Sequence, residues 1–215
     1  MKTIAILSQK GGAGKTTLAI HLAVAAAQEK LNTLIVDLDP QASAAKWGDR
    51  REAELPLVIS SHASRLDAVL KNARDNDGHL AILDTAPNSD SITLQAARAA
   101  DFVLIPCRPA ILDLEAITST LDLVRTANTP AVVVLNAVAS VGTEAEDAAE
   151  AIAELNAEVC PVRLVSRVAF SRSLIGGQAA QEIEPAGKAT QEVLALHKFI
   201  CERVHIFTSK VPHYA

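Results

Sequence analysis

Nine consecutive residues, Gln9-Lys10-Gly11-Gly12-Ala13-Gly14-Lys15-Thr16-Thr17, have the types and spacing to hold a polyphosphate. Gly11, Gly12 and Gly14 let successive backbone N–H groups curl round an anion without side-chain clashes, and Ala13 keeps the wall between them small. Lys15 supplies a point charge for the terminal phosphates, and the Thr16 hydroxyl is of the type that ligates magnesium. An apolar run precedes the stretch and a helical pattern begins at Lys15, so the positive end of a helix, with Thr17 in its first turn, faces the same anion. A glycine turn with a purely structural job needs neither the lysine nor the hydroxyl. The residues predict a nucleotide site.

The strict pattern G-x-x-x-x-G-K-S/T asks for glycine at position 9, where Gln9 stands. A second lysine, Lys10, comes before the glycines instead. Two lysines at one loop make little sense for binding alone, because Lys15 already serves the nucleotide of its own chain. In this the stretch resembles the deviant Walker A motif, K-G-G-x-G-K-S/T, of the ParA/MinD group of P-loop ATPases. The resemblance implies ATP and Mg2+ as cofactors. It also implies a homodimer in the ATP-bound state, with Lys10 reaching across to the partner's nucleotide as a catalytic lysine beside Lys15.

Two further apolar runs deliver carboxylates at their ends. Asp37 and Asp39, in Leu34-Ile35-Val36-Asp37-Leu38-Asp39-Pro40, leave a strand at i and i+2 and so on one side. Asp39 is the candidate that positions the attacking water. By resemblance, Asp37 supports the magnesium shell. The alternative is that both end a strand and open a turn with Pro40. Asp84, at the tip of Ala81-Ile82-Leu83-Asp84, reads as a Walker B carboxylate holding magnesium, and Thr85 to Asp90 as a loop that responds to the terminal phosphate. By resemblance, Asn136 and the turn containing Pro106 and Arg108 lie where adenine is held. An Asn amide donates and accepts at once, which suits a purine edge, but Asn136 equally suits the capping of a strand end.

The elements that must position these groups alternate. Apolar, β-branched runs predict strands at Lys2 to Ser8, Thr33 to Leu38, Leu57 to Ser60, Leu80 to Asp84, Phe102 to Pro106, Ala131 to Asn136 and Val162 to Val168. Helical patterns fall at Lys15 to Glu29, Arg65 to Asn76, Ser91 to Ala99, Asp113 to Ala127, Glu144 to Ala157 and Gly187 to Val204. This is an α/β layout, and with the loop it gives a P-loop NTPase: a mostly parallel central sheet with helices on both faces. Residues 1–207 are expected to form one ATPase domain, with 208–215 a flexible tail or vector remnant. Trp47, isolated, is expected to serve packing.

Composition limits the rest. Of 215 residues, 49% are hydrophobic, 21% charged and only 3% aromatic, which excludes long disorder and an aromatic-rich sandwich. Three cysteines, at 107, 160 and 201, form no CxxC pair, which disfavours a zinc or iron–sulfur site within the chain. No run reaches the length of a membrane span and the amino terminus is too short in apolar residues for a signal peptide, so the expected place is the cytoplasm. The net charge of −5 argues against a uniformly basic surface. Between Glu158 and Glu182, however, the only charged residues are Arg163, Arg167 and Arg172. With Lys188 they make a candidate DNA-backbone patch, the alternative being arginines that bridge nearby glutamates.

Because the first strand begins at Lys2, the chain resembles the small ParA type that lacks an amino-terminal helix-turn-helix. That type implies a slow ATPase whose ATP dimer coats nucleoid DNA without sequence preference. A ParB-like or other cargo adaptor stimulates hydrolysis, and the cargo is a plasmid, a chromosome or a protein assembly. Membrane binding of the MinD kind is not expected, since Lys198 and Arg203 beside Glu202 make weak lipid bait. The rival readings are a MinD-like membrane-associated ATPase and a small-molecule amidoligase or synthetase of the same superfamily.

Overall fold

Alternate residues of the apolar runs go to opposite sides of one sheet. In the computed structural model, which describes residues 1–206, six strands pair in parallel throughout: β1 (Lys2–Ile6), β2 (Thr33–Asp37), β3 (Leu57–Ser60), β4 (Leu80–Asp84), β5 (Phe102–Cys107) and β6 (Ala131–Leu135). Their order is β3-β2-β4-β1-β5-β6, so β1 sits inside the sheet and every residue of β2 and β4 is buried. Ile4, Ile6, Ile35, Ile82 and Leu104 face one core, while Ala5, Val36, Leu83, Val103 and Ile105 face another. Burying each Ile or Val contributes about 1.5–3 kcal/mol, which is why these runs carry almost no polar residue.

Helices cover both faces, as the alternation requires. On the first side lie α1 (Lys15–Gln28), α2 (Ser43–Gly48) and, late in the chain, α9 (Lys188–Val204), which bury Leu18, Leu22, Trp47, Leu196 and Ile200. On the second lie α3 (Leu66–Asp75), α4 (Asp90–Ala99), α5 (Ile111–Ala127) and α6 (Glu144–Glu154), which bury Leu70, Ala97, Leu121 and Ile152. Two short helices, α7 (Val168–Ile175) and α8 (Ala180–Ile183), precede α9. Neither they nor α2 stand out in the sequence, because four to eight residues hold too few turns for an apolar period to show.

The strand expected over Val162 to Val168 does not form. Leu164 donates to Leu135 O and Ser166 to Val138 O, but the pairing amounts to one isolated bridge, Val138 with Val165, and Val168 already opens α7. Two features stop the ladder. Pro161 has no N–H to give it, and Ala137 takes a left-handed φ of 53° that turns the chain out of the line of β6. The tail expected at 208–215 lies outside the described residues.

Trp47 has the packing role expected of it. It is 1% exposed, donates Nε1–H to Gln178 O at 3.0 Å, and carries the Arg51 guanidinium 5.0 Å above its ring. Arg51 in turn pairs with Glu182 at 2.9 Å. The tightest spot of this seam is Gly177, at φ +68°, where a Cβ would lie 2.5 Å from the Arg50 carbonyl oxygen.

Candidate functional site

The chain leaves β1 at the carboxyl edge of the sheet, curls through Gln9 to Gly14 and enters α1. This helix starts with no side-chain cap and no acidic residue in its first turn, so its first N–H groups and its positive end are left for an anion. Gly11 and Gly12 are exposed at the crest and Ala13 is buried beneath them. Gly14 has a φ of 95°, and a Cβ on it would lie 2.2 Å from Asn136 Nδ2. That amide donates to Ala13 O at 2.7 Å, which ties the loop to the end of β6.

The two lysines of the loop separate. Lys15 is 7% exposed, and its ammonium turns inward to donate to Ser8 O at 3.1 Å and Lys10 O at 3.4 Å. Burial holds its pKa below the usual lysine range, against the opposing pull of Asp84 and Asp39. Lys10 is half-buried, and its ammonium makes no hydrogen bond or ion pair among the described residues.

Asp37 and Asp84 are register partners on neighbouring strands, so their side chains leave the sheet on the same side, next to α1. Both are fully buried. Asp84 has no hydrogen-bond partner for either oxygen among the described residues. Burial pushes its pKa up to about 7; Thr16 and Lys15 pull it down, while Asp37 and Asp39 raise it. Asp37 differs: Oδ1 accepts from Asp39 N at 3.0 Å and Oδ2 from Ala45 N at 2.9 Å, so it shapes the turn after β2 and starts α2. Burial raises its pKa as well, with those N–H groups opposing. Asp39, half-buried at the tip, accepts from Gln41 N at 2.9 Å.

A buried, unpartnered carboxylate beside a hydroxyl and an ammonium is what a phosphate-bound divalent cation would complete. Among the described residues no group of three or more His, Cys, Asp and Glu side chains is arranged to hold a metal. Magnesium keeps its waters and takes one or two protein oxygens plus phosphate, which the Thr16 hydroxyl and the Asp84 carboxylate can supply. Thr16 and Asp84 fit that cation directly. Asp37 fits less well, since both its oxygens already accept backbone N–H groups.

Beside the loop lies a cavity of about 330 Å³ lined by Gly14, Thr17, His21, Arg108, Asn136 and Phe170, among others. Asn136 and Arg108 thus reach one site, and Asn136 serves the loop and the cavity together. Pro106 does not join them. It is an interior residue of β5, paired with Val134 and buried, so the turn expected there begins only after Cys107. A proline is tolerated at this point because Val103 donates toward β6, so Leu104 and Pro106 turn toward β1, whose pairing with β5 ends at Leu104.

Each arginine of the candidate basic patch meets a glutamate, the alternative that the sequence left open. Arg163 pairs with Glu146 at 2.7 Å, Arg172 with Glu184, and Arg167 donates Nε–H to Glu192 at 3.0 Å. The local positive excess of the sequence is therefore offset by glutamates folded in from outside the segment. Lys188 opens α9 in the same depression as Arg167, Arg172 and Glu184.

Two residues beside the site make contacts that sequence reasoning does not reach. His21 lies one turn beyond Thr17, donates Nδ1–H to Thr17 O at 2.7 Å, and meets Phe170 edge-on at 5.0 Å between ring centres. Gln9 bonds to Asp90 and Thr120. The only signal for either was its position: His21 on the same helical face as Thr17, Gln9 in place of a glycine.

Comparison with known proteins agrees with this geometry. The chain is 40% identical over 122 residues to the Maintenance of carboxysome distribution protein A of Gloeobacter kilaueensis, a match that covers 55% of each chain. It is 30% identical over 162 residues to the chromosome-partitioning ATPase Soj of Thermus thermophilus, covering 60% of this chain and 65% of Soj. The chain thus spans between 55% and 65% of the length of these relatives. In fold it is similar to an ATP complex of Cyanothece McdA, with a TM-score of 0.79, 21% identity and coverage of 98% of this chain and 99% of that one. Pyrococcus horikoshii MinD with Mg-ADP gives the same TM-score at 16% identity, with the same coverage. The model of the CobQ/CobB/MinD/ParA nucleotide-binding domain matches residues 4–179. From β1 and its glycine loop to the seam at Gly177, this chain belongs to the CobQ/CobB/MinD/ParA nucleotide-binding family.

Proposed function

We propose that the chain is a slow ATPase that dimerises with Mg·ATP, adheres to DNA without sequence preference in that state, and positions a cargo whose adaptor protein stimulates hydrolysis and release. The observation that carries this reading is the division of the two loop lysines. Lys15 folds inward onto its own loop, while the Lys10 ammonium has no partner among the described residues and is left to enter a second copy's site.

In the Mg·ATP state the backbone N–H groups from Gly11 to Thr17 wrap the phosphates, Thr16 and Asp84 face the cation, and Asn136 and Arg108 line the base side. Mg·ATP when bound supplies the terminal phosphoryl group and the charge that offsets the carboxylates. Asp39 orients the water that attacks it, and Asp37 fixes Asp39 through the 3.0 Å bond to its N–H. Dimerisation then couples nucleotide state to DNA affinity, because two copies double a weak patch. Arg163, Arg172 and Lys188 are its contributors; Glu146 and Glu184, the partners of the two arginines, have side chains 53% and 40% exposed, so phosphates can displace them at little cost. Arg167, more deeply paired, contributes less.

The cargo best supported is a protein assembly, since the 40% identical relative is named for carboxysome distribution, whereas the partition ATPase Soj matches at 30%. A cytoplasmic, nucleoid-bound location follows from the DNA reading; among the described residues no helix is long and apolar enough to cross a membrane. Sedimentation velocity with Mg·ATP, Mg·ADP and no nucleotide, with and without DNA, tests the scheme. A dimer that co-sediments with DNA only under ATP is expected, and Asp39→Ala should trap it. A lone subunit under saturating, unhydrolysed Mg·nucleotide overturns the reading.

A further inference from the structure

Gln9 stands where the strict phosphate-loop pattern has glycine, and its contacts give that departure a use. Its backbone N–H donates to Thr120 Oγ1 of α5 at 3.1 Å, a fully buried hydroxyl. Its side-chain Nε2 donates to Asp90 Oδ1 at 2.7 Å, on the first residue of α4. Gln9 is 9% exposed, and its Oε1 is buried without a hydrogen-bond partner among the described residues. Backbone and side chain thus tie the residue next to Lys10 to two helices on the far side of the sheet.

Asp90 ends the loop that begins at Thr85. At its near end Thr85 donates Oγ–H to Ile6 O at 3.0 Å, and in between Asn88 takes a left-handed φ of 51°. The loop is therefore fastened at one end to the last residue of β1 and at the other to Gln9, in the segment that leads from β1 into the glycine loop. A hydrogen bond to a charged acceptor in a part-buried place is stronger than a neutral one, so this second fastening resists the loop's separate movement.

We propose that Gln9 is a positioning residue whose amide clamps Asp90, so that the Thr85–Ser89 loop and the backbone of Lys10 move as one unit and the loop's response to the triphosphate sets how Lys10 is presented to a second copy of this chain. The inference rests on the proposed function, in which Lys10 enters the partner's site. Asp90 also has a plainer role, since an acidic residue in the first turn of α4 meets the positive end of that helix. The two roles part under exchange of donor and acceptor.

The test uses the full chain as Gln9→Glu, Asp90→Asn and the double variant. Affinity for a fluorescent ATP analogue, Mg·ATP turnover, and dimerisation by sedimentation velocity with a hydrolysis-resistant ATP analogue are measured on each. Gln9→Glu sets two carboxylates against each other; roughly tenfold weaker dimerisation is expected, with nucleotide affinity within about twofold of the parent. Asp90→Asn keeps the acceptor oxygen and should stay close to the parent. The double variant remakes the bond in reverse and should recover most of the lost dimerisation, which a helix-end role for Asp90 would not produce. Should Gln9→Glu fail to fold, Asp90→Ala removes the acceptor with Gln9 intact and is expected to weaken dimerisation in the same way. A dimerising parent with an indifferent Gln9→Glu, or a loss that Asp90→Asn does not restore, overturns the clamp alone. A parent that stays monomeric overturns the dimer and the clamp's role with it.

Discussion

Asn136 holds the phosphate loop from 123 residues away: its Nδ2 donates to Ala13 O at 2.7 Å, and the neighbouring Gly14 has no room for a Cβ because that same nitrogen would be 2.2 Å from it. One amide thereby fixes the loop's shape and closes one side of the cavity beside it. Asn136→Ala should cost about 1 kcal/mol of stability by urea denaturation, and Gly14→Ala roughly 1–3 kcal/mol, since it adds strain at φ 95° as well. The two together should cost less than their sum, because the methyl of the second displaces the amide that the first removes.

Asp84 and Lys15 should show opposite needs in the free and nucleotide-bound protein. Without ligand, the Asp84 carboxylate is buried with both oxygens unpartnered, so Asp84→Asn should raise the melting temperature by a few degrees, on the order of 1 kcal/mol. Mg·ATP should then raise it no further. Lys15→Gln should likewise fold and lose nucleotide binding. Differential scanning fluorimetry with and without Mg·ATP reads both; a ligand-free protein destabilised by Asp84→Asn would contradict the assignment.

Acid should loosen the protein through His21. Burial lowers its pKa to about 4 from the ordinary 6.5, against the pull of Thr17 O and Glu182. The folded state therefore keeps His21 neutral where the unfolded chain takes up a proton, so stability is full above pH 6.5 and is lost as pH falls toward 4. The loss should reach roughly 3 kcal/mol at the acid end. His197, lowered by burial with Glu29 opposing, adds in the same direction. Asp84 and Asp37, whose pKa values burial raises, take up protons in the folded state over the same range and act in the opposite direction, so the His21 contribution is read by difference: from pH 7 to pH 4.5 the urea midpoint of His21→Leu should rise relative to that of the parent.

Arginines of the basic patch should sort by burial. Arg163 and Glu146 are about half exposed, so Arg163→Glu should change stability by no more than about 0.5 kcal/mol while reducing DNA retention. Arg167 and Glu192 are 26% and 17% exposed, and the same glutamate accepts from Val165 N at 3.0 Å. Arg167→Ala should therefore cost roughly 1–2 kcal/mol and confuse any DNA assay with unfolding. Retention on DNA–cellulose, normalised to the folded fraction, distinguishes the two.

Local chemistry is what the sequence by itself determined. The glycines, lysines and hydroxyl from Lys10 to Thr16 announce a phosphate site because their spacing along one turn is their geometry. Asp37 and Asp84 announce themselves as strand tips because apolar runs of five residues bury on both faces of a parallel sheet. All six strands and the six longer helices follow from the same periodicities. What tertiary structure decided is every relation that crosses the chain. The register that sets Asp37 beside Asp84, the reach of Asn136 to Ala13, the clamp from Gln9 to Asp90 and the glutamates that cover Arg163, Arg167 and Arg172 join residues between 12 and 123 positions apart. Pro106, read both as the last residue of a strand and as part of the turn after it, lies inside β5, because its missing N–H faces a place where β1 has already ended. A hydrogen bond of 3 Å depends on how elements pack, and packing is a property of the whole core that no local pattern of residue types encodes.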